Sequence, residues 1–349
     1  MHSIIILLDG ATDDRIPSLG NLTPLQAAEM PFIDSITTAG RFGCTDACGY
    51  THLFLLELLS KRKEDIPRGL IETLGFNLEV PPGRIGYRLS PATLVDSWME
   101  WGYIISEEEV KVLRASFEKN LPLIDDLKPE IRYYGEGKGV MTIESDDVLD
   151  LPSPPVNSEF DLERLGPLRE LVEAVRDETG GWVILPWQGG RGDLVEKYKD
   201  VRKKLRGISF LSNSPSALGV GAFLGMKKMW IDDLEERIEK ASNVVNESDV
   251  LLHIEEIDDM SHKREPQKKL EFLEEVDILL KKYFQGKKDV RLSLIVDHGA
   301  SSLTGEHDEN PVPFAVSKDL SGESSGRSFQ ETSQGYVPLQ ELLNILMGW

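Results

Sequence analysis

Six residues in this 349-residue chain have the types and placement that hold metal ions: Asp9, Asp258, His262, Asp297, His298 and His307. They supply three carboxylates and three imidazoles, and the chain has only six histidines in all. Asp297 and His298 are adjacent at the end of the apolar run 292–296, so both can turn into a crevice above a sheet. Hard oxygen and borderline nitrogen ligands in this mixture suit manganese or zinc, with magnesium behind because it seldom takes histidine. Taken singly, each residue also reads as a surface acid or a hydrogen-bonded histidine.

These residues need strands to carry them. The run 3–10, SIIILLDG, ends on Asp9 and a glycine that leaves room for a ligand, and the run 250–254 delivers Asp258 and His262 just beyond its end. His307 follows the Asp297-His298 corner by nine residues, in a loop leading to Pro311-Val312-Pro313. Apolar runs alternate with helical patterns at both ends of the chain, which reads as α/β.

A second kind of chemistry is offered by Cys48-Gly49-Tyr50-Thr51-His52, a turn that opens a helix running to about Leu59. A helix start presents backbone N–H groups and a positive dipole end, a good place for a nucleophile or a phosphate. The alternative is that Cys48 is simply a small buried apolar residue. Upstream, Thr23-Pro24-Leu25-Gln26 has the form of a capping box with proline at the first helical position, predicting a helix to about Met30. Pro31–Ala39 predicts a further short helix closed by Gly40.

Composition limits the partners. Sixty acids against 39 bases, a net charge of -21, argue against nucleic acid and anionic membranes. No run approaches the roughly 18 apolar residues needed to span a bilayer, and Met1–Gly10 is too short in apolar core for a signal peptide. Cys44 and Cys48 form no disulfide framework, so a cytoplasmic location is expected. The length allows one large or two ordinary domains, and an apolar content of 40% is enough for real cores.

Leu8-Asp9-Gly10, the segment 22–28 (LTPLQAA) with Pro31-Phe32-Ile33-Asp34, Asp258-Asp259-Met260-Ser261-His262, Val296-Asp297-His298, and His307 with Pro311-Val312-Pro313 together resemble the cofactor-independent phosphoglycerate mutases. The likeness is to the archaeal-type branch, within the alkaline phosphatase superfamily, and it runs through both ends of the chain. It implies an α/β alkaline-phosphatase-like core, with a central mostly parallel sheet sandwiched by helices, over 1–75 and 207–349. A smaller inserted α+β domain, 76–206, would bind substrate and close over the metals.

The resemblance implies two divalent ions, manganese first and zinc or magnesium as alternatives. Asp9, Asp297 and His298 match the ligands of one, and Asp258, His262 and His307 those of the other. It also implies a small phosphorylated metabolite as partner, the interconversion of 2- and 3-phosphoglycerate, and a monomer or small homo-oligomer. In the family a serine four residues before a histidine accepts the phosphoryl group, and counting back from His52 lands on Cys48. Three accounts follow: a thiolate at Cys48 accepts phosphate, Thr51 supplies the hydroxyl, or the site binds without turnover. The sulfatase route, in which cysteine becomes an aldehyde, lacks its proline and arginine, since Tyr50 and His52 stand there. A phosphatase or phosphotransferase with another substrate is the remaining enzymatic alternative.

Arginines suit phosphate and carboxylate because a planar fork binds either bidentately. Arg88 matches one of the family's substrate arginines, and Arg132 and Arg191 are candidates for others. The family's lysine three residues before Asp258 is Glu255 here, and Trp98, Trp101 and Trp187 stand near expected arginines. Within 76–206, strands are expected at 84–89, 139–143 and 182–185 and helices at 107–118 and 162–178. Beyond it, a strand at 208–211, a helix at 216–224 and a helix from Pro266 with an apolar stripe of Leu270, Leu273, Val276, Leu280 and Tyr283 complete the core.

Overall fold

The structure is a computed structural model, and it describes residues 1–101, 106–149, 151, 158–287, 289–317 and 328–349. The chain forms two compact units, Met1–Asp65 with Asp200–Trp349, and Ile66–Lys199.

The first unit is built on a seven-stranded sheet in the order Lys227–Trp230, Ser209–Ser212, Val250–Ile254, His2–Leu8, Val290–Val296, Val312–Val316, Arg41–Thr45. The first five strands are parallel, and Val312–Val316 is antiparallel to both its neighbours. The three central strands are apolar on both faces because helices cover both; Ile4, Ile6, Leu252, Leu292 and Leu294 are fully buried. Register places the site: Leu8 pairs with both Ile254 and Val296, so the chain leaves all three strands at one level. Asp9 and Asp297 are the next residues of their strands, and Asp258 follows in the helix Glu256–His262.

Local sequence accounts for the helices around this sheet. Thr23 and Gln26 close a capping box on a helix of one turn, Pro24–Ala27, which stops short of Met30. Pro31–Ala39 is helical as expected, its first N–H groups capped from outside by Asp277, which accepts from Ile33 N at 2.7 Å. The helix Pro266–Phe284 turns a stripe inward one position off the apolar pattern: Lys269, Leu273, Val276, Asp277, Leu280 and Phe284 are buried, while Leu270 and Tyr283 are partly exposed. Two charged residues thus occupy core positions. No helix of the described residues is long and apolar enough to cross a membrane.

The second unit is a smaller α+β body. Strand Arg84–Val95 pairs antiparallel with Gly139–Glu144, Trp98–Trp101 and Trp182–Arg191. The helices Glu107–Asn120 and Arg169–Thr179 turn apolar residues, among them Leu113, Phe117, Leu171 and Val175, into the core formed with this sheet. The helix Arg68–Gly75 belongs to this unit, which therefore starts at Ile66 and ends at Lys199 rather than spanning 76–206. The segment 162–178 is not one helix: Gly166 with φ +49° and Pro167 break it, so a 3₁₀ segment precedes Arg169–Thr179. The strand expected at 182–185 continues through the glycines to Arg191. There a Cβ on Gly189 would fall 2.3 Å from the Tyr87 ring and one on Gly190 2.6 Å from Leu70, so the glycines admit close packing instead of ending the strand.

Candidate metal centre

Asp258 is the hinge of the site. Its carboxylate lies 3.1 Å from His262 Nε2 and 3.3 Å from His307 Nε2, and the two Nε2 atoms face each other at 3.2 Å. His262 stands one helical turn after Asp258, which puts both on one face. His307 arrives on the short strand His307–Asp308, paired with Gly299–Ala300. Each of the three candidate ligand histidines turns Nδ1 to a backbone carbonyl: His262 to Gly305 at 3.1 Å, His307 to Gly49 at 2.9 Å, His298 to Gly299 at 3.3 Å. Donation from Nδ1 leaves the Nε2 lone pair for an ion, the usual way a second contact sets the tautomer of a metal ligand.

The second cluster shares Asp258 with Asp9 and His298. Asp9 Oδ1 is 3.1 Å from His298 Nε2, and Asp297 Oδ2 is 3.6 Å from the same nitrogen. Asp297 Oδ1 accepts from Gly10 N at 3.1 Å and from His298 N at 3.0 Å, which fixes the corner. Gly10 has φ +61°, and a Cβ there would fall 2.6 Å from Asp258 Oδ1, so glycine is required where the two clusters meet.

Charge makes the same point. Burial works against ionisation of Asp9, yet hydrogen bonds from His253 and His298 outweigh it and hold the carboxyl well below the usual range. Burial, with the Asp9 charge beside it, pushes Asp297 up to about 7. Burial opposes a charged His298, but Asp297 and Asp9 raise it to about 10. Burial likewise opposes ionisation of Asp258, but the imidazoles of His262 and His307 beside it prevail and lower it. Asp258 Oδ1 and Asp297 Oδ2 are buried without a hydrogen-bond partner. Orphaned carboxylate oxygens beside facing imidazole nitrogens fit divalent cations of the manganese and zinc kind.

All six expected ligands therefore gather at the carboxyl ends of adjacent strands. The grouping differs in one respect: Asp258, rather than Asp297, makes the tight trio with Asp9 and His298. The turn before the helix Thr51–Ser60 also differs from the counting argument. Thr51, at the first helical position, places Oγ1 3.2 Å from both oxygens of Asp9 and 3.5 Å from His298 Nε2. Cys48 is half-buried, belongs to neither cluster, and holds the turn by donating its backbone N–H to Asp297 O at 3.0 Å. Burial, then the charges of Glu57 and Glu309, raise its thiol, so it stays protonated at neutral pH. His52 is buried in the same helix, its ring 5.8 Å from that of Tyr50.

One functional residue is invisible to the sequence pattern. His253 is fully buried inside the strand Val250–Ile254, with Nε2 2.8 Å from Asp9 Oδ2 and Nδ1 2.8 Å from Ser212 Oγ. Ser212 in turn accepts from Ser214 N at 2.9 Å. Every donor and acceptor in this chain is used: Ser214 N–H to Ser212, the Ser212 hydroxyl to Nδ1, and Nε2–H to Asp9. A buried imidazole is tolerated only when satisfied in this way, and a histidine inside an apolar strand was the one signal that could have exposed it.

The expected substrate arginines lie in the second unit. Arg88 is buried and bonded to Glu72 at 2.9 Å, with its guanidinium 4.9 Å from the centre of the Trp187 ring. Arg68 reaches the same carboxylate at 2.6 Å and Tyr134 OH donates to it at 2.9 Å. Arg132 is exposed, and Arg191 bonds to Asp146 O at 2.6 Å and pairs with Asp193 at 3.3 Å.

A mostly parallel sheet with Asp and His clusters at the ends of its central strands is an alkaline-phosphatase-like fold. Residues 221–336 match the metalloenzyme superfamily. Over 90% of its length the chain is 26% identical to the 2,3-bisphosphoglycerate-independent phosphoglycerate mutase of Methanopyrus kandleri, covering 86% of that protein. It is 24% identical, over its whole length and 93% of the relative, to the corresponding mutase 2 of Methanocaldococcus jannaschii. The fold matches the PH0037 protein of Pyrococcus horikoshii with a TM-score of 0.75 over 99% of this chain and 96% of that one, at 18% identity. It matches the cofactor-independent phosphoglycerate mutase of Thermoplasma acidophilum with a TM-score of 0.63 over 99% and 98%, also at 18% identity. Residues 221–336 thus match the metalloenzyme superfamily, and the chain as a whole is similar, at 22–26% identity, to archaeal 2,3-bisphosphoglycerate-independent phosphoglycerate mutases.

Proposed function

We propose that the protein is a two-metal phosphoryltransferase that interconverts 2- and 3-phosphoglycerate, with Thr51 as phosphoryl acceptor. The observation that carries this reading is the Thr51 hydroxyl, 3.2 Å from both Asp9 oxygens and 3.5 Å from His298 Nε2 at the start of a helix. Asp258, His262 and His307 would hold one ion, and Asp9, Asp297 and His298, with Asp258 between, the other; manganese is the first choice. When bound, such a pair supplies positive charge to the attacking and leaving oxygens of an in-line displacement. The names of the relatives supply the substrate.

The chain's own residues do the rest. Thr51 Oγ1 attacks phosphorus and forms the O–P bond as the bond from phosphorus to the glycerate oxygen breaks. The threonine proton is lost and the departing glycerate oxygen gains one, so charge balances. Return of the phosphoryl group to the other glycerate hydroxyl restores Thr51. His253 and Ser212 hold Asp9 in place, and the Asp9 carboxylate orients the hydroxyl. Arg88, Arg132 and Arg191 are the candidates for the substrate's anionic groups, Arg88 as part of its pair with Glu72. Cys48 acts through its backbone, and the raised thiol makes it the weaker nucleophile.

Acid-quenched protein loaded with Mn²⁺ and exposed to 3-phosphoglycerate should carry a phosphate on the peptide containing Thr51, located by tandem mass spectrometry. A phosphothreonine is acid-stable, so the quench preserves it. Phosphate found on Cys48, or no phosphoprotein in a preparation that turns over, refutes Thr51 as acceptor.

A further inference from the structure

A lysine at a core position of the helix Pro266–Phe284 has no place in the mechanism above. Lys269 is fully buried, and its Nζ donates to Asp13 Oδ2 at 2.9 Å, Ala300 O at 2.9 Å and Thr12 O at 3.3 Å. All three ammonium donors are thereby used. The Asp13 side chain is itself fully buried and accepts from Ser302 N through its other oxygen at 3.0 Å. Two more bonds join the same loops: Ala300 N to Thr12 O at 3.0 Å and Thr12 Oγ1 to His298 O at 3.2 Å.

These contacts connect the three segments that present the metal ligands. Thr12 and Asp13 lie on the loop that starts at Asp9. Ala300 and Ser302 lie on the loop that starts at Asp297-His298. Lys269 sits on the helix that follows Asp258 and His262 in the chain. Stability alone does not call for this arrangement, because a buried ion pair is often replaceable by apolar side chains at no cost. Directional bonds to two backbone carbonyls are what an apolar side chain cannot supply. We propose that Lys269, through Asp13, is a positioning residue that sets the spacing of the ligand loops for metal uptake. This rests on the two-metal reading, though not on the identity of the substrate.

The test is Mn²⁺ affinity of the full-length protein by calorimetric titration, beside thermal melts of the metal-free form. Replacing the pair together, Lys269→Met with Asp13→Leu, avoids leaving one charge buried alone. It should keep a cooperative melt near that of the parent while Mn²⁺ affinity falls 10- to 100-fold, the usual effect of losing an outer-shell contact. Asp13→Asn is the second variant: its amide can still accept from Lys269 but cannot also accept from Ser302 N, and its affinity should fall at least threefold. Lys268→Met, at an exposed neighbour paired with Glu265, should bind Mn²⁺ as the parent does. Parent-like Mn²⁺ affinity in Asp13→Asn or in the folded double variant overturns the inference, whatever happens to the melting temperature. A parent protein that takes up no Mn²⁺ overturns the two-metal reading, and the inference with it.

Discussion

Glu72 offers a sharp test of how the second unit holds itself together. Its carboxylate is almost completely buried between Arg88 at 2.9 Å and Arg68 at 2.6 Å, with Tyr134 OH donating to the other oxygen. Arg68 is partly exposed and contributes little. Arg88 is not: its side chain is 10% exposed and its Nε has no partner. Glu72→Leu would strand that guanidinium, at a cost of about 3–5 kcal/mol. With an m-value near 2 kcal/mol/M this moves the urea midpoint down by roughly 2 M. Arg88→Leu combined with Glu72→Leu should recover most of the loss. The assay is tryptophan fluorescence, because Trp98, Trp101, Trp182 and Trp187 all lie in this unit and Trp187 packs on Arg88. The pH dependence has a fixed sign. Burial works against the Glu72 charge, Arg88 and then Arg68 outweigh it, and the carboxyl is held below its ordinary 4.5. Its contribution is therefore complete above pH 4.5 and is lost as pH falls through the depressed folded value. A Glu72→Leu protein with the parent's midpoint, or an acid limb unchanged by the substitution, refutes the reasoning.

Other consequences concern the metal centre. His253→Phe should lower Mn²⁺ affinity 10- to 100-fold by freeing Asp9, and Ser212→Ala should do so to a smaller extent; equal affinity by titration would show that Asp9 is held without them. Gly10→Ala should weaken Mn²⁺ binding too, since its Cβ would meet Asp258 Oδ1 at 2.6 Å in a backbone conformation of φ +61°; an unchanged Kd sinks the close-approach argument. His298, raised to about 10, must shed a proton to ligate, so Mn²⁺ binding should release protons at pH 7 and weaken as pH falls. Calorimetry in buffers of different ionisation enthalpy reads this directly, and a buffer-independent heat contradicts it.

How much of this was legible in the sequence depends on what each residue's neighbours impose. Asp9, Asp258, His262, Asp297 and His298 could be read as candidate ligands because each lies just beyond an apolar run, and a parallel sheet delivers such residues to one edge. His253 could not, since its role depends on Ser212 and Asp9 from two other strands. Lys269 fell on the apolar stripe one position from where periodicity pointed, because its partners are loop carbonyls that no pattern encodes. The strand Val312–Val316 was hidden by its prolines. Pro313 is tolerated because only Phe314 to Val316 pair with Val290–Val296, so its missing N–H breaks no bond there. Counting four residues back from His52 led to Cys48, whereas the helix begins at Thr51 and aims that hydroxyl at Asp9. The expected strand stops at Leu185, yet the glycines 189–190 are strand residues against Tyr87 and Leu70, and only the tertiary packing reveals the reason.

The most direct measurement is the steady-state conversion of 3-phosphoglycerate to 2-phosphoglycerate by the Mn²⁺-loaded parent, beside Thr51→Ala, Thr51→Ser and Cys48→Ala. The account predicts turnover by the parent and its loss on chelation. It also predicts loss in Thr51→Ala by at least about 10³-fold, partial retention in Thr51→Ser, and activity in Cys48→Ala within about tenfold of the parent. A parent-like rate in Thr51→Ala, or an inactive parent with all metals bound, would contradict it.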